Sequence, residues 1–212
     1  MATVSPKCSL SELIIRLFDV DGLKFGNFSM RTGEISPVYV DMRVMWSYPD
    51  IVKAVCENIW KLAEGLQYQH ICGIPYQGIP MATYLSTSRD IPMLLKRQHV
   101  KSYGTGRLIE GHYRDTDVVL LIDDVLMTGG TFLKDVPQFR SEGLEVIDCV
   151  VFLDRDQGGA DRVSGQLNVK VHSVVTLPQV FEILLKAERV TQSTVDTTLQ
   201  YLKDNQFHGA VV

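Results

Sequence analysis

The chain has 212 residues, of which 45% are hydrophobic and 22% charged, so it can bury a sizeable apolar core without disulfide or metal cross-links. Its 21 lysines and arginines stand against 25 aspartates and glutamates, and this net charge of −4 excludes a generally basic nucleic-acid binder. The N-terminus lacks the apolar stretch of a signal peptide and no apolar run approaches the ~20 residues of a membrane helix, so we expect no nucleic-acid or membrane partner.

The cysteines indicate a reducing compartment. Cys8, Cys56, Cys72 and Cys149 are scattered and form no CxxC pair, so we expect reduced thiols and a cytoplasmic location, with disulfides or a zinc site as the alternatives. No linker, internal repeat or low-complexity tract divides the chain. We therefore predict that residues 1–212 form a single domain.

The N-terminal part predicts a helix, two strands and a second helix. Ser9 followed by Glu12 is a capping-box pattern, after which apolar residues recur at helical spacing. Two short strands are predicted over residues 25–30 and 38–40. Pro49 is typical of the first turn of a helix, and the residues after it carry an apolar face.

From residue 71 onward, short apolar runs alternate with helical patterns. The predicted strands cover residues 71–74, 93–95, 118–122, 146–153 and 171–176. One helix is predicted to begin with residues 81–85, and three more are predicted over about residues 131–142, 180–186 and 193–202. Apolar strands separated by helices predict an α/β fold with a mainly parallel sheet covered on both faces. Ligands in such folds bind at the carboxyl ends of the strands, so the residues that follow strands are the informative ones.

The segment over residues 118–131 carries the strongest chemical signal, because an apolar strand there ends in the carboxylates Asp123 and Asp124. Four residues then precede a predicted helix and form a candidate phosphate cradle: Thr128, Gly129, Gly130 and Thr131. Glycines and a helix start present backbone N–H groups to an anion, and threonines add hydroxyl donors. The carboxylates repel a bare phosphate, so they indicate a ligand that also carries hydroxyls or Mg²⁺. The alternative is an Asp–Asp turn followed by a glycine helix cap.

This segment resembles the signature with which type I phosphoribosyltransferases bind 5-phosphoribosyl 1-diphosphate (PRPP). Further blocks flank it in order: Phe25-Gly26-Asn27-Phe28, Arg31-Thr32-Gly33 and Ser36-Pro37-Val38-Tyr39; Gly73-Ile74-Pro75-Tyr76 and Gly78-Ile79-Pro80; Lys96-Arg97, Lys101, Tyr103-Gly104 and Glu110-Gly111; Leu153-Asp154-Arg155 and Gly158-Gly159. The group over residues 25–39 resembles the base-site segment of orotate phosphoribosyltransferases, and the group over 73–80 resembles their diphosphate loop. The group over residues 96–111 resembles their mobile catalytic loop, and the group over 153–159 their orotate-clamping segment. The resemblance covers about residues 9–205 and is greatest for the N-terminal domain of animal UMP synthases. Whether a decarboxylase domain is natively fused or acts as a separate chain stays open.

The resemblance implies the type I phosphoribosyltransferase fold. An N-terminal helix and base-site hood would occupy about residues 1–45, and an α/β core about 46–212, with a mobile loop over 97–114. It further implies a Mg²⁺-dependent pentosyltransferase that joins orotate to PRPP, giving orotidine 5′-monophosphate and diphosphate in UMP biosynthesis. In this family the loop lysine serves the neighbouring active site, so the resemblance also implies a homodimer with shared sites.

The residues that the resemblance assigns fall into three groups. The catalytic group is Lys101, Arg97, Asp123 and Asp124. The PRPP-binding group is Tyr76, Gln77, Arg97, Lys101, Tyr103, Asp123, Asp124, Thr128, Gly129, Gly130 and Thr131. The orotate-binding group is Arg31, Tyr39, Met127 and Arg155. Asp123 and Asp124 would also be the metal ligands, in part through water, while PRPP itself carries most of the Mg²⁺ coordination.

Physical chemistry gives these groups distinct roles. Arg97 and Lys101 make the mobile loop over residues 97–114 a basic loop, which neutralises charge that grows on the departing diphosphate. The aspartates tolerate positive charge on the ribose. Arg155 pairs with the orotate carboxylate through its planar fork, the alternative being a surface ion pair with Asp154 or Asp156. For Tyr39 the alternative to a contact with the base is a plain core tyrosine.

Four positions depart from the family pattern. Arg31 and Gln98 each stand where lysine is usual, Gln77 stands where many members have lysine, and Met127 replaces a substrate-contacting threonine. Met127 motivates a second hypothesis, a phosphoribosyltransferase for uracil or a purine. Gln98 and Met127 together motivate a third, a weakly catalytic PRPP-binding regulatory protein.

Overall fold

The N-terminal layer is a helix followed by a β-hairpin. The structure, a computed structural model, describes residues 8–29, 35–98 and 107–207. Helix α1 (Leu10–Asp19) starts at the capping box between Ser9 and Glu12, which confirms the helix start predicted from the sequence. The two predicted strands are present as β1 (Leu23–Ser29) and β2 (Ile35–Val40), and they pair antiparallel.

A six-stranded sheet forms the centre of the molecule, and its strand order is β5-β4-β3-β6-β7-β8. Its strands are β3 (His70–Gly73), β4 (Met93–Lys96), β5 (Ile109–Glu110), β6 (Val119–Leu126), β7 (Asp148–Asp154) and β8 (Lys170–Thr176). All neighbours pair in parallel except β4 and β5. The predicted α/β fold with a mainly parallel sheet is therefore confirmed.

Helices cover both faces of this sheet. They are α2 (Pro49–Ala63), α3 (Gly78–Arg89), α4 (Gly130–Ser141), α5 (Gly159–Leu167) and α6 (Leu177–Lys186). Helix α7 (Gln192–Asp204) packs on β2 and α6, and a 3-10 helix lies at Met42–Ser47. Alternate residues of β6 enter different cores: Leu120 and Ile122 pack with α1, α2, α3 and α6, whereas Val119 and Leu121 pack with α4 and α5. Within the described residues, no helix combines the length and apolar character needed to cross a bilayer.

The structure differs from the sequence prediction at three places. Strand β6 continues through Asp123 and Asp124 to Leu126, because these residues keep their ladder with β7. Helix α5 was not predicted, since only Gly159 and Val163 of it are buried and its apolar face is too narrow to recognise. The third place is the predicted mobile loop.

The end of that loop is part of the sheet. Leu108 and Ile109 are buried, and Ile109–Glu110 pairs with β4 as the edge strand β5. The prediction of a lid reaching to residue 114 was therefore too long. Its central part, residues 99–106, lies outside the described residues.

Candidate active site

The bend between β6 and α4 is built by close backbone approaches. Gly129 has a φ of +72°, and a Cβ there would lie 2.5 Å from Val163 Cγ2 and 2.9 Å from the Gly159 carbonyl oxygen. A Cβ on Gly159 would in turn overlap the Met127 carbonyl. Both glycines are needed because the bend rests directly on the first turn of α5.

The bend opens into a small cavity of about 100 Å³ at the start of α4, lined by Asp123 and by residues 125–132. Helix α4 begins at Gly130, whose N–H donates to the Thr128 hydroxyl over 3.3 Å. Backbone N–H groups in the first turn of a helix have no intrahelical acceptor. This cavity can therefore hold a phosphoryl group between backbone donors and the two threonine hydroxyls.

The acidic pair lies at the same edge of the sheet. Successive residues of a strand point to opposite faces, so Asp123 faces α4 while Asp124 faces the N-terminal layer. Burial raises the pKa of both carboxyls, and for Asp123 the charge of Asp124 adds to this rise. Each carboxylate accepts one backbone N–H, from Asp124 at 3.0 Å and from Val125 at 2.8 Å. Their exposed edges remain available to hydroxyls or to a cation.

A larger cavity of about 460 Å³ adjoins the cradle and shares Thr128, Gly130 and Thr131 with it. Pro75, Gln98, Lys134 and a buried ion pair between Lys96 and Asp135 complete its lining. The Lys96 ammonium lies 3.0 Å from Asp135 Oδ1, and both side chains are almost fully buried. The cavity is large enough for a second phosphoryl-bearing group beside the first.

The turn between β3 and α3 passes from Pro75, which lines this cavity, into Tyr76 and Gln77 at its rim. Tyr76 is 69% exposed and donates from its hydroxyl to Gln98 Oε1 at 3.0 Å. The Gln77 side chain accepts from Trp46 Nε1 at 2.6 Å. The sequence predicted both residues at a ligand; in the structure both follow β3, at the edge of the sheet where the carboxyl ends of the parallel strands lie.

The predicted basic loop is described only at its two ends. Arg97 is half-buried and its Nε donates to Glu110 at 2.6 Å, so in this structure its guanidinium is paired with β5. Lys101 and Tyr103 lie outside the described residues, as does Arg31 of the predicted base site. Their assigned roles remain predictions.

Arg155 lies directly after β7 and is only 4% exposed. Its backbone N–H donates to the Leu126 carbonyl at 2.9 Å, which holds it next to the end of β6. Among the described residues, its Nε and Nη2 have no hydrogen-bond partner. The surface ion pair considered from the sequence is therefore absent from the described part of the chain.

A buried guanidinium without a partner is costly, and burial lowers the pKa of Arg155. These donors suit an anionic ligand.

Tyr39 lies on β2, half-buried against the Phe28 ring at a centroid distance of 5.5 Å. Its hydroxyl accepts from Arg43 at 3.0 Å, and Arg43 in turn is held by Asp41. The nearby Arg43 charge opposes the rise in the pKa of Asp124. Sequence reasoning missed Arg43, because an exposed arginine in a short 3-10 helix has no distinguishing local pattern.

Sequence reasoning also missed Lys134, Lys96 and Asp135 as lining residues. Lys134 follows the cradle by one helical turn, and this spacing could have indicated it. The buried Lys96–Asp135 pair joins β4 to α4 across a long stretch of chain, so no local signal predicts it.

The carboxylates at this edge of the sheet are candidate ligands for Mg²⁺. Among the described residues, no group of three or more His, Cys, Asp or Glu side chains is placed to hold a metal ion. Asp123 and Asp124 are adjacent carboxylates with free edges, and Mg²⁺ commonly uses one or two carboxylates together with substrate phosphates. The residues therefore fit a Mg²⁺ ion that arrives on a phosphorylated ligand.

Comparisons with known proteins agree with this geometry. Residues 47–183 match the family described as phosphoribosyl transferase domain. Uridine 5′-monophosphate synthase of Bos taurus is 38% identical over 203 residues, which are 95% of this chain but 42% of that protein. Orotate phosphoribosyltransferase of Caenorhabditis elegans is 31% identical over 190 residues, 88% of this chain and 82% of that protein. Among solved structures, UMP synthase of Leishmania donovani has a TM-score of 0.83 at 31% identity, covering 93% of this chain and 43% of that one.

Proposed function

This chain belongs to the phosphoribosyltransferase family, among the orotate phosphoribosyltransferases, and on that premise we propose that it joins orotate to PRPP, giving orotidine 5′-monophosphate and diphosphate in pyrimidine biosynthesis. The observation that carries the choice of orotate is the buried Arg155 guanidinium, two of whose donors have no partner among the described residues. Orotate carries a carboxylate, whereas uracil and the purines do not. A planar guanidinium binds a carboxylate through two parallel hydrogen bonds.

The phosphorylated sugar would occupy the two adjoining cavities. Backbone N–H groups at the start of α4, with Thr128 and Thr131, would hold one phosphoryl group. Asp123 and Asp124 would accept hydrogen bonds from the ribose hydroxyls. As the base displaces diphosphate, the ribose gains positive charge, and the two carboxylates stabilise that charge.

The departing diphosphate would lie at the rim formed by Tyr76, Gln77 and Lys134. We propose that Arg97 exchanges Glu110 for the diphosphate, and that Lys101 and Tyr103 join it there. When bound, Mg²⁺ would neutralise diphosphate charge. Asp123 and Asp124 would hold it from the protein side.

The assembly, compartment and domain limits are part of the same proposal. A homodimer with shared sites is supported by the family relationship. A cytoplasmic location is supported by the cysteines, all four of which are described and free. Burial raises the pKa of Cys56 and Cys72 to about 12, so both remain inert thiols at neutral pH. We further propose that residues 1–212 act as one domain.

The direct experiment is a steady-state assay with orotate, PRPP and Mg²⁺, run in parallel with uracil, adenine and hypoxanthine. Orotate consumption, with no turnover of the other bases, is the expected result. Turnover of another base alone would support the second hypothesis. Heat of PRPP binding in a calorimeter without turnover of any base would instead support a regulatory PRPP-binding protein.

Replacing Arg155 by alanine is expected to raise the orotate KM about 30-fold or more and to leave the PRPP KM within about threefold of the wild-type value. Arg155→Lys should recover part of the loss, because lysine keeps the charge but not the fork. The matched control is Arg189→Ala, which removes an exposed arginine that pairs with Asp19 at 3.2 Å. A wild-type orotate KM in Arg155→Ala would remove this residue from the base site.

Met127 is the position that favours a different base, because its thioether cannot donate a hydrogen bond into the cavity. Met127→Thr should preserve or improve turnover of orotate, since the Met127 backbone carbonyl that lies against Gly159 is unchanged by the substitution. The measurement is kcat/KM for orotate, with Met127→Leu as an apolar control. A loss greater than about tenfold in the threonine variant would show that the side chain has another role.

A further inference from the structure

The turn that carries Arg155 is held by few contacts of its own. We define the Arg155 turn as residues 154–158. Its Asp156 has a φ of +58°, and the Asp156 N–H donates to Asp154 Oδ1 at 2.9 Å. On the sheet side, Asp154 is the last residue of β7 and pairs with Leu126 and Thr176, and after it the Arg155 N–H donates to the Leu126 carbonyl at 2.9 Å. The rest of its support comes from elsewhere in the chain.

That support comes from the end of the described chain. We define the C-terminal clasp as residues 205–207, which directly follow α7. Gln157 is fully buried, and its Nε2 donates to the Asn205 carbonyl at 2.9 Å. Gln206 Nε2 donates to the Asp156 carbonyl at 2.7 Å, and the Phe207 N–H donates to the Gln157 carbonyl at 3.0 Å. Three hydrogen bonds therefore join the clasp to the turn.

The clasp is itself anchored through α7. Val195, Thr198 and Leu202 of this helix are buried, and the helix packs on β2 and on α6. Gln206 Nε2 also donates to the Leu202 carbonyl at 3.0 Å, so one amide joins the helix end to the turn. Because β2 carries Tyr39, which the sequence assigned to the base, α7 and the clasp together contact both elements predicted for the base site.

In the part of the chain that the structure describes, no carboxylate pairs with the Arg155 guanidinium. With Nε and Nη2 unpartnered among the described residues, its position depends on the backbone of the turn and on surrounding packing. A carboxylate ligand that binds by two parallel hydrogen bonds requires the guanidinium plane to be correctly oriented. If that orientation is lost, the affinity for the ligand falls. We therefore expect a contact that fixes the turn to change the affinity for the base more than the affinity for PRPP.

We propose that the C-terminal clasp is a positioning element of the base site, in which Gln206 holds the Arg155 turn and so sets the affinity for orotate. This inference rests on the proposed function for the identity of the ligand, but the positioning contact itself does not depend on it. Gln206 does not touch the ligand; it acts through the Asp156 carbonyl next to Arg155.

The test compares Gln206→Ala with Gln200→Ala in the full chain. Gln200 is an exposed α7 residue whose amide bonds only to Asp204 of the same helix, at 2.8 Å, so it is a matched control. Gln206→Ala should raise the orotate KM about tenfold while kcat and the PRPP KM stay within about twofold. Gln206→Lys keeps an N–H donor of similar reach and should restore most of the orotate affinity. Gln200→Ala should match the wild type.

Hydrogen exchange gives a reading that does not require activity. A peptide covering residues 153–158 should exchange faster in Gln206→Ala than in the wild type, and not in Gln200→Ala. Unchanged exchange, or equal rises in the KM of orotate and PRPP, would overturn the inference. Faster exchange in Gln206→Ala, together with a wild type that never consumes orotate, would support the positioning contact while refuting the proposed function.

Discussion

Asp123→Asn is expected to make the protein more stable and nearly inactive. Turnover should fall ~100-fold or more, because the carboxylate that faces positive charge on the ribose becomes neutral. Stability at neutral pH should also rise, because the variant no longer buries an ionised carboxylate. Burial and the Asp124 charge both disfavour the ionised form of Asp123, whereas the asparagine oxygen can still accept the Asp124 N–H.

The stability gain should depend on pH in a defined direction. The pKa of Asp123 is raised in the folded state above its ordinary value of 3.8, so the folded chain binds more protons than the unfolded chain above that value. Wild-type stability is therefore lost as pH rises from 3.8 through the raised pKa. The variant lacks this group, so its advantage should vanish at low pH and reach a plateau at neutral pH.

Denaturant unfolding across a pH series measures this difference, and the orotate assay measures the loss of turnover. Asp196→Asn is the matched control, since Asp196 is an exposed carboxylate that accepts one hydrogen bond, from Gln192 at 2.8 Å. It should change neither stability nor turnover. If Asp123→Asn were less stable than the wild type at neutral pH, the carboxylate would be a structural anchor and not a strained functional group.

Gly73→Ala is expected to destabilise the fold by ~3 kcal/mol or more and to abolish PRPP binding. A Cβ at Gly73 would overlap the Gly78 carbonyl and the Ile79 nitrogen, which are backbone atoms that cannot rotate away. Gly78 in turn has no room against the Ile122 carbonyl, which also accepts the Ile74 N–H at 2.8 Å. The substitution would therefore push the turn with Tyr76 away from β6, just before the acidic pair.

Gly165→Ala is the control for the added methyl group. Gly165 lies within α5 with open space around its Cα, so alanine should stabilise the protein by ~0.5–1 kcal/mol. Unfolding free energies from denaturant titration and calorimetry with PRPP are the measurements. A Gly73→Ala protein within about 1 kcal/mol of the wild type would show that β3 and α3 do not approach this closely.

Much of the fold was predictable because it follows from neighbouring residues. The capping box at Ser9, the proline at the start of α2 and the apolar strands are local patterns, and the structure has each of them. Local pattern also explains two errors. Helix α5 has too few buried residues to show periodicity, and the short edge strand β5 forms only because β4 is beside it.

The position of the candidate site was predictable for the same reason, whereas its electrostatics were not. The amino-acid sequence by itself determined the α/β fold and the order of strand, acidic pair, glycine bend and helix over residues 118–131, because hydrophobic periodicity and turn chemistry are properties of consecutive residues. Only the tertiary structure decided that Arg155 is buried without a partner in the described chain, that Lys96 pairs with Asp135, and that the C-terminal clasp holds the Arg155 turn. Burial and charge pairing depend on which distant segments pack together, and that information is not contained in any local stretch of residues.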